Sequence, residues 1–220
     1  MSLTKDKFLK MVDHTILKPN ATTEQVIEVI EYAKNNYCAS VCINPCFVSL
    51  AKDILAGSNT KVCTVIGFPL GANTTEVKVF EAKDASNNGA DEIDMVINIS
   101  KMKDKNYDYV YNEIKSIKNS TDKILKVIIE DAYLTKEEIK IATELCVKAK
   151  ADFVKSSTGF AESGAKVEDV KIMKEIGKDN IKIKAAGGIK CLSDVKNLYE
   201  AGATRFGLSR TKDILNEMEI

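Results

Sequence analysis

The chain has 220 residues and equal numbers of basic and acidic side chains, 32 of each. This length predicts a single domain over residues 1–220, and the balanced charge predicts no nucleic-acid or membrane partner. No apolar run approaches the ~20 residues of a membrane span, and the charged first residues do not read as a signal peptide. We therefore expect a cytoplasmic protein with a small-molecule partner.

Strand-like and helix-like segments alternate along the whole chain. Short apolar runs predict strands at 13–17, 39–43, 61–68, 90–99, 123–130, 152–157, 181–188 and 204–209. Amphipathic spacing predicts helices at 22–36, 74–89, 107–120, 135–150, 167–177, 191–202 and near 211–218. Eight strands that alternate with helices predict a parallel (β/α)8 TIM barrel. A doubly wound open sheet is the alternative, and the lack of a G-x-G-x-x-G motif after the first strand is only weak evidence against it.

The six cysteines do not predict a disulfide framework or a metal site. Only Cys38, Cys42 and Cys46 cluster, at a four-residue spacing that would place three thiols on one helical face. Their segment reads as a strand, however, and the one histidine, His14, is distant in sequence. We expect neither a metal nor a cofactor.

Alternation within the strands sorts side chains between the barrel interior and the helices. The helix-facing side must be apolar, so four charged residues are predicted to point inward near the strand C-terminal ends, where barrel active sites form: Asp94, Lys126, Lys155 and Lys184. Lys182 and Glu92 lie deeper, and we expect them to form an ordinary ion pair. A lone inward lysine is more often structural than catalytic. An excess of ammonium groups near the mouth, however, favours the neutral form of one lysine, which can then attack a carbonyl.

Small residues end the last two predicted strands. Gly187 and Gly188 end the seventh, and Gly207 and Ser209 lie in the eighth. A barrel commonly binds phosphate after these two strands, where backbone N–H groups face the anion. These residues, with Gly159 from the sixth loop, predict a phosphate cradle, although each glycine alone is more often a turn residue.

Several motifs in a fixed order resemble the deoxyribose-phosphate aldolases. They include "DHTILK", "VCINP", "VIGFPLGA", "EIDMVINI", "DFVKSSTGF", "IKIKAAGGI" and "GATRFGLS", and they span roughly residues 10 to 210. The resemblance implies a TIM-barrel class I aldolase of deoxyribonucleoside catabolism. Such an enzyme reversibly cleaves 2-deoxy-D-ribose 5-phosphate to acetaldehyde and D-glyceraldehyde 3-phosphate through a lysine Schiff base, without a metal. A homodimer is also expected from the family.

The resemblance also implies roles for individual residues. Lys155 matches the Schiff-base lysine, Lys184 the second lysine that favours its neutral form, and Asp94 the carboxylate of the proton relay. Lys126 matches an inward lysine that supports Asp94 and polar groups of the substrate. Cys42 matches a cysteine near the site, but a small buried side chain is an equally good interpretation.

Other positions match the family less informatively or depart from it. Asp13 and Thr15 match the opening strand motif and are interpreted as scaffold. Arg210 stands where a small or hydroxyl residue is usual, and it could bind phosphate or point to solvent. The run "EDAYLT" at 130–135 replaces the usual one. A different barrel enzyme acting on sugar phosphates and a noncatalytic phosphosugar sensor remain rival functions.

Overall fold

The computed structural model describes residues 3–218, and within them eight parallel strands close into a barrel in chain order. The strands are β1 Val12–Ile16, β2 Ser40–Ile43, β3 Lys61–Ile66, β4 Glu92–Val96, β5 Ile124–Ile128, β6 Phe153–Lys155, β7 Lys182–Ala186 and β8 Arg205–Leu208. The barrel closes because β8 pairs with β1, with Phe206 opposite Val12. The TIM-barrel prediction is confirmed, and the open doubly wound sheet is excluded.

Helices surround the barrel. They are α1 Lys5–Leu9, α2 Thr23–Asn35, α3 Val48–Ile54, α4 Thr75–Asn87, α5 Ile99–Lys103, α6 Tyr107–Ser120, α7 Lys136–Lys148, α8 Val167–Gly177, α9 Leu192–Glu200 and α10 Thr211–Glu217. Short 3₁₀ turns at Pro45–Phe47 and Asp131–Tyr133 follow β2 and β5. The seven predicted helices are all present, whereas α1, α3 and α5 were not assigned from the sequence. These three have only five to seven residues, too few for a periodic pattern to emerge.

Local signals set the helix starts. Thr22 caps α2 through its side chain, and Gln25 completes a capping box. Thr135 and Glu138 do the same for α7. Among the described residues, no helix combines the length and hydrophobicity needed to cross a membrane.

The predicted alternation of strand side chains is confirmed. Ile93, Met95, Val127, Val154 and Ile183 are buried in the hydrophobic core between barrel and helices. The intervening residues point inward and form layers of four, each contributed by alternate strands. From the base toward the mouth, the layers contain Ser40, Glu92, Phe153 and Arg205, then Asp13, Cys63, Lys126 and Lys184, then Cys42, Asp94, Lys155 and Gly207. Bulky apolar side chains usually fill the interior of such a barrel. Here most of the interior side chains are charged, so each of them needs an ion-pair partner inside the barrel.

The predicted pair between Lys182 and Glu92 is wrong. Glu92 pairs instead with Lys126 at 2.6 Å and Arg205 at 3.1 Å. Lys182 is exposed at the first position of β7, where its ammonium lies 5.5 Å from the centre of the Phe153 ring. At this position its charge stays in water, which costs less than burial.

Candidate active site

One carboxylate joins the two lysines that the sequence singled out at the barrel mouth. Oδ2 of Asp94, on β4, accepts hydrogen bonds from Lys155 Nζ at 2.8 Å and from Lys184 Nζ at 2.7 Å. Lys155 is the last residue of β6 and Lys184 lies on the neighbouring strand β7, directly opposite it. All three side chains are almost completely buried. The strand alternation therefore brings these residues together as predicted.

The other oxygen of Asp94 faces the layer below. Oδ1 accepts hydrogen bonds from Lys126 Nζ at 2.9 Å and from the Cys63 thiol at 3.2 Å. Burial alone would raise the pKa of Asp94, but the charges of the three lysines that surround it hold its pKa well below the usual range. Before any reaction, Asp94 is thus an anion between three ammonium groups.

Asp13 supports the cluster from β1. Its carboxylate accepts from Lys184 and lies 3.3 Å from Lys126 Nζ and 2.6 Å from Arg205 Nη1. Burial alone would lower the pKa of Lys184, but the negative charges of Asp13 and Asp94 together raise that pKa above its ordinary value. The interpretation of Asp13 as scaffold fits these contacts, which fix the ammonium of Lys184 beside Asp94.

A cavity of about 770 Å³ opens above this cluster. Lys155 lines it, whereas Lys126 and Lys184 are fully covered by other side chains. All five residues predicted for the phosphate cradle also line it: Gly159, Gly187, Gly188, Gly207 and Ser209. The cavity therefore connects Lys155 with the residues of the predicted cradle.

The cradle needs glycine at its centre. Gly187 has φ 78°, in the left-handed region, and a Cβ there would lie 3.1 Å from Cα of Gly164 and 3.3 Å from Cα of Gly159. Gly188 also has a positive φ, of 72°. Two successive residues of this kind leave the backbone bare, so an anion can approach its N–H groups closely.

A model of the DeoC/LacD aldolase family matches residues 7–217 of the chain. A deoxyribose-phosphate aldolase from Mycoplasma mobile is 54% identical over 212 residues, which are 96% of this chain and 98% of that protein. The chain belongs to the DeoC/LacD family of aldolases. The family resemblance predicted from the motifs is therefore confirmed.

Solved structures agree with this assignment. The structure of QR15, an aldolase, superposes on this chain with a TM-score of 0.91 at 43% sequence identity. The match covers 96% of this chain and 95% of QR15. A deoxyribose phosphate aldolase from Aeropyrum pernix, whose structure is described as a unique tetramer, reaches a TM-score of 0.91 at 28% identity. That match covers 98% of this chain and 92% of the other.

The run at 130–135 that departs from the family pattern holds the sixth loop of this aldolase. Glu130 accepts hydrogen bonds from the backbone N–H and the hydroxyl of Thr158, and Asp131 Oδ1 accepts from the Ser157 hydroxyl at 2.8 Å. Burial raises the pKa of Asp131 to about 6. Both contacts fix the polar turn that follows Lys155, so "EDAYLT" positions the end of β6.

Two further expectations concern residues at the edge of the aldolase site. Cys42 is fully buried in an apolar cluster and does not line the cavity; the hydrogen bond with Cys63 lowers its pKa. Arg210 also lies outside the cavity lining, where its Nε donates to Asp213 at 2.9 Å. The structure therefore favours the small buried side chain for Cys42 and the solvent-facing interpretation for Arg210.

The three clustered cysteines do not converge on one point. Cys38 packs into the core outside the barrel, Cys42 points into the barrel, and Cys46 is exposed on a 3₁₀ turn. Cys63 and Asp94 do approach each other inside, but the Lys126 ammonium contacts both, at 3.1 and 2.9 Å. A lysine therefore already holds the place that a cation would take there.

Two residues of the aldolase site were missed in the sequence. Arg205 begins β8 and points inward, which the alternation around the apolar Phe206 could have revealed. Lys18 lies in the loop after β1 and lines the cavity. No hydrogen bond or ion pair involves the side chain of Lys18 among residues 3–218, and no strand or helix pattern marks it, so only the folded loop reveals its place.

Proposed function

We propose that this aldolase reversibly cleaves 2-deoxy-D-ribose 5-phosphate to D-glyceraldehyde 3-phosphate and acetaldehyde through a Schiff base on Lys155. The observation that carries the proposal is that Lys155, of the three buried cluster lysines, is the one that borders the cavity. The glycine cradle for a phosphate lies in the same cavity. The relative from Mycoplasma mobile, named deoxyribose-phosphate aldolase, supports this substrate.

The chemistry begins with Lys155 as a neutral amine. Its Nζ attacks the C1 aldehyde of the open-chain sugar phosphate, and loss of water gives an iminium ion. A base then removes the proton of the C3 hydroxyl, the C2–C3 bond breaks, and its electron pair moves into the iminium to form an enamine. Glyceraldehyde 3-phosphate leaves, protonation of the enamine at C2 restores the iminium, and hydrolysis releases acetaldehyde and frees Lys155.

Asp94 and Lys184 are suited to moving these protons. Asp94 Oδ2 lies within hydrogen-bond distance of both amines, so a proton can pass between the Lys155 side and Lys184 without a large movement. Lys126 holds the second oxygen and so fixes the orientation of the carboxylate. The Asp94 carboxylate beside Lys155 also stabilises the positive iminium.

The phosphate end lies at the cradle. Backbone N–H groups near Gly187, Gly188 and Ser209 bind the anion, and the exposed Lys18 supplies a positive charge at the cavity wall. Lys155 is the other lysine in the lining, but it is engaged by Asp94 and in the chemistry. Selection of phosphorylated over free sugar is thus assigned to the cradle and Lys18.

The remaining family expectations belong to the same proposal. We place the enzyme in the cytoplasm, in deoxyribonucleoside catabolism, with sugar phosphates and aldehydes as its partners. Self-association as a homodimer is proposed from the family, within which the Aeropyrum pernix protein is described as a tetramer.

Borohydride trapping tests the central assignment. Acetaldehyde and borohydride should leave an N-ethyl group on Lys155, located by peptide mass spectrometry, and Lys155→Gln should abolish it. Lys61→Gln, at the exposed first position of β3, is the matched control and should label like wild type. Undiminished labelling of Lys155→Gln contradicts the assignment.

Product analysis tests the substrate. Acetaldehyde and glyceraldehyde 3-phosphate should form from 2-deoxy-D-ribose 5-phosphate and not from other sugar phosphates offered beside it. Turnover of a different sugar phosphate indicates the rival barrel enzyme. Binding without any turnover indicates a phosphosugar sensor.

A further inference from the structure

A buried carboxylate that the proposed mechanism does not use lies behind the sixth loop. Glu130 follows the end of β5 by two residues and is only 2% exposed. Its backbone has φ 51° and ψ 67°, in the left-handed region that residues other than glycine adopt at a cost. Four other non-glycine residues among 3–218 have a positive φ, but they are exposed and lie at the ends of helices: Tyr37, Lys105, Lys150 and Lys178. Strain at a buried residue persists only where other contacts compensate for it.

The compensating contacts are with Thr158 in the sixth loop. Both oxygens of the Glu130 carboxylate accept the Thr158 backbone N–H, at 3.2 and 3.3 Å, and Oε2 also accepts the Thr158 hydroxyl. Within residues 3–218, no other group donates a hydrogen bond to this carboxylate. Burial raises the pKa of Glu130, whereas these hydrogen bonds and the charge of Lys155 favour its ionised form. The strained turn thus directs a carboxylate at one threonine.

The Thr158 hydroxyl therefore has a fixed polarity. A hydroxyl has one proton and two lone pairs, and this one donates its proton to Glu130. One lone pair accepts the Phe160 N–H at 3.0 Å. The second receives no hydrogen bond from residues 3–218, and Thr158 lines the cavity that Lys155 borders. Toward a ligand, this hydroxyl can therefore act only as an acceptor.

Thr158 also lies between the two functional ends of the cavity. It is three residues beyond Lys155 and directly precedes Gly159, which packs closely on the cradle, since a Cβ on Gly187 would lie 3.3 Å from Gly159 Cα. An open-chain sugar phosphate with C1 at Lys155 and its phosphate at the cradle has its hydroxyl groups between these ends. Those hydroxyl groups are hydrogen-bond donors, so they match the acceptor that Thr158 presents.

We propose that Glu130 is a positioning residue that fixes the Thr158 hydroxyl as the acceptor for a hydroxyl group of the sugar. Glu130 itself does not line the cavity, so it acts through Thr158. Without the carboxylate, the hydroxyl proton is free to turn toward the cavity, and the preorganised acceptor is lost. The inference rests on the proposed function. It names a contact that the sugar phosphate makes and that acetaldehyde, which has no hydroxyl group, cannot make.

The test compares two reactions of the same lysine. Glutamine offers one acceptor where the carboxylate offers two, so Glu130→Gln should lower kcat/KM for cleavage of 2-deoxy-D-ribose 5-phosphate about tenfold. Borohydride trapping of acetaldehyde on Lys155 should proceed as in wild type. Glu137→Gln, whose native side chain is 71% exposed on α7, is the matched control and should leave both reactions unchanged. Wild-type cleavage by Glu130→Gln would overturn the proposal. An equal loss of cleavage and trapping would show a merely structural role and overturn it as well.

Variants of Thr158 test whether Glu130 acts through this hydroxyl. Thr158→Val removes the hydroxyl at nearly constant shape and should lose about as much cleavage as Glu130→Gln, whereas Thr158→Ser keeps it and should stay near wild type. The double variant Glu130→Gln with Thr158→Val should cleave as well as Thr158→Val alone, because glutamate then has no hydroxyl to orient. Losses that multiply in the double variant would show two independent effects and contradict the proposal.

The unphosphorylated sugar distinguishes the hydroxyl contact from a displaced loop, which would also disturb the cradle at Gly187. Free 2-deoxy-D-ribose has the same C3 and C4 hydroxyl groups but no phosphate. Glu130→Gln should therefore slow the cleavage of both sugars by the same factor. A larger loss for the phosphorylated sugar would assign the effect to the cradle and overturn the hydroxyl assignment.

Wild type tests the proposed function separately. A wild-type protein that neither traps acetaldehyde nor cleaves the sugar phosphate contradicts the proposed function, and this inference falls with it. With an active wild type, a contrary result in the variants concerns the role of Glu130 alone.

Discussion

Replacing Lys78 by methionine should cost the protein a large part of its stability. Lys78 is fully buried on α4, and its ammonium donates to Glu113 Oε1 at 2.7 Å, to the Gly71 carbonyl at 2.8 Å and to the Val96 carbonyl at 2.9 Å. These contacts join the loop after β3 to the end of β4, two residues beyond Asp94. All three hydrogens of the ammonium are used. The methionine variant therefore leaves three oxygen acceptors without their hydrogen-bond donor.

The magnitude follows from the charge left behind. Glu113 is fully buried, and among residues 3–218 its other oxygen accepts only the Asn98 N–H, at 2.9 Å. Breaking such a buried pair typically costs about 3–5 kcal/mol. For a chain of this size, one kcal/mol corresponds to about 2–4 °C, so the melting temperature should fall by roughly 10 °C.

The sign of the pH dependence provides a second check. Burial already raises the pKa of Glu113, and loss of the Lys78 charge should raise it further. The folded variant then binds a proton more tightly than the unfolded chain, so its stability should fall as pH rises. The deficit relative to wild type should be larger at pH 8 than at pH 5.

Urea denaturation and calorimetry measure these differences. The double variant Lys78→Met with Glu113→Leu removes both charges and should recover most of the loss, because an apolar pair can replace a buried ion pair. A cost below about 1 kcal/mol for Lys78→Met would refute the reasoning, as would a double variant no more stable than the single one.

Two shorter predictions concern the cavity and its sixth loop. Lys18→Met should raise KM for deoxyribose 5-phosphate about tenfold and leave KM for free deoxyribose unchanged, whereas Arg210→Ser should affect both sugars alike; the reverse pattern in steady-state kinetics would assign the phosphate to Arg210. Asp131→Asn should stabilise the protein by about 2–3 kcal/mol at pH 7. The reason is that the pKa of Asp131 is raised to about 6 in the folded protein. The carboxyl group of wild type therefore contributes less to stability as pH rises from about 4 to about 6. Burial lowers the pKa of His14 to about 4, so the contribution of His14 to stability rises with pH over the same range. The free energy of unfolding of the variant must therefore be compared with that of wild type at each pH. A difference between them that stays constant with pH contradicts the prediction.

The inward placement of the proposed catalytic residues could be predicted before any coordinates. The period of two within a strand requires Ile93 and Met95 to face the helices, so Asp94 between them must point inward. The same reasoning placed Lys155 beside Val154 and Lys184 beside Ile183. Because all strands of such a barrel run in one direction, side chains near their C-terminal ends must meet at one mouth.

Pairing between those inward groups could not be predicted in the same way. Alternation states which side a residue faces, but not its height in the barrel relative to distant strands. That height depends on the register around the closed sheet, and it pairs Glu92 with Lys126 and Arg205 rather than with Lys182. The loop positions of Lys18 and Asp131 are set by the folded chain, since no periodic pattern extends through loops.

The sequence by itself determined that strands and helices alternate and that three lysines and a carboxylate lie on the side of their strands that faces away from the helices, because these follow from local period and chain direction. Only the tertiary structure decided which lysine borders the cavity and which charges balance one another. Those properties depend on distances between residues far apart in the chain, such as Asp13 and Lys184, and such distances exist only once β8 has closed onto β1.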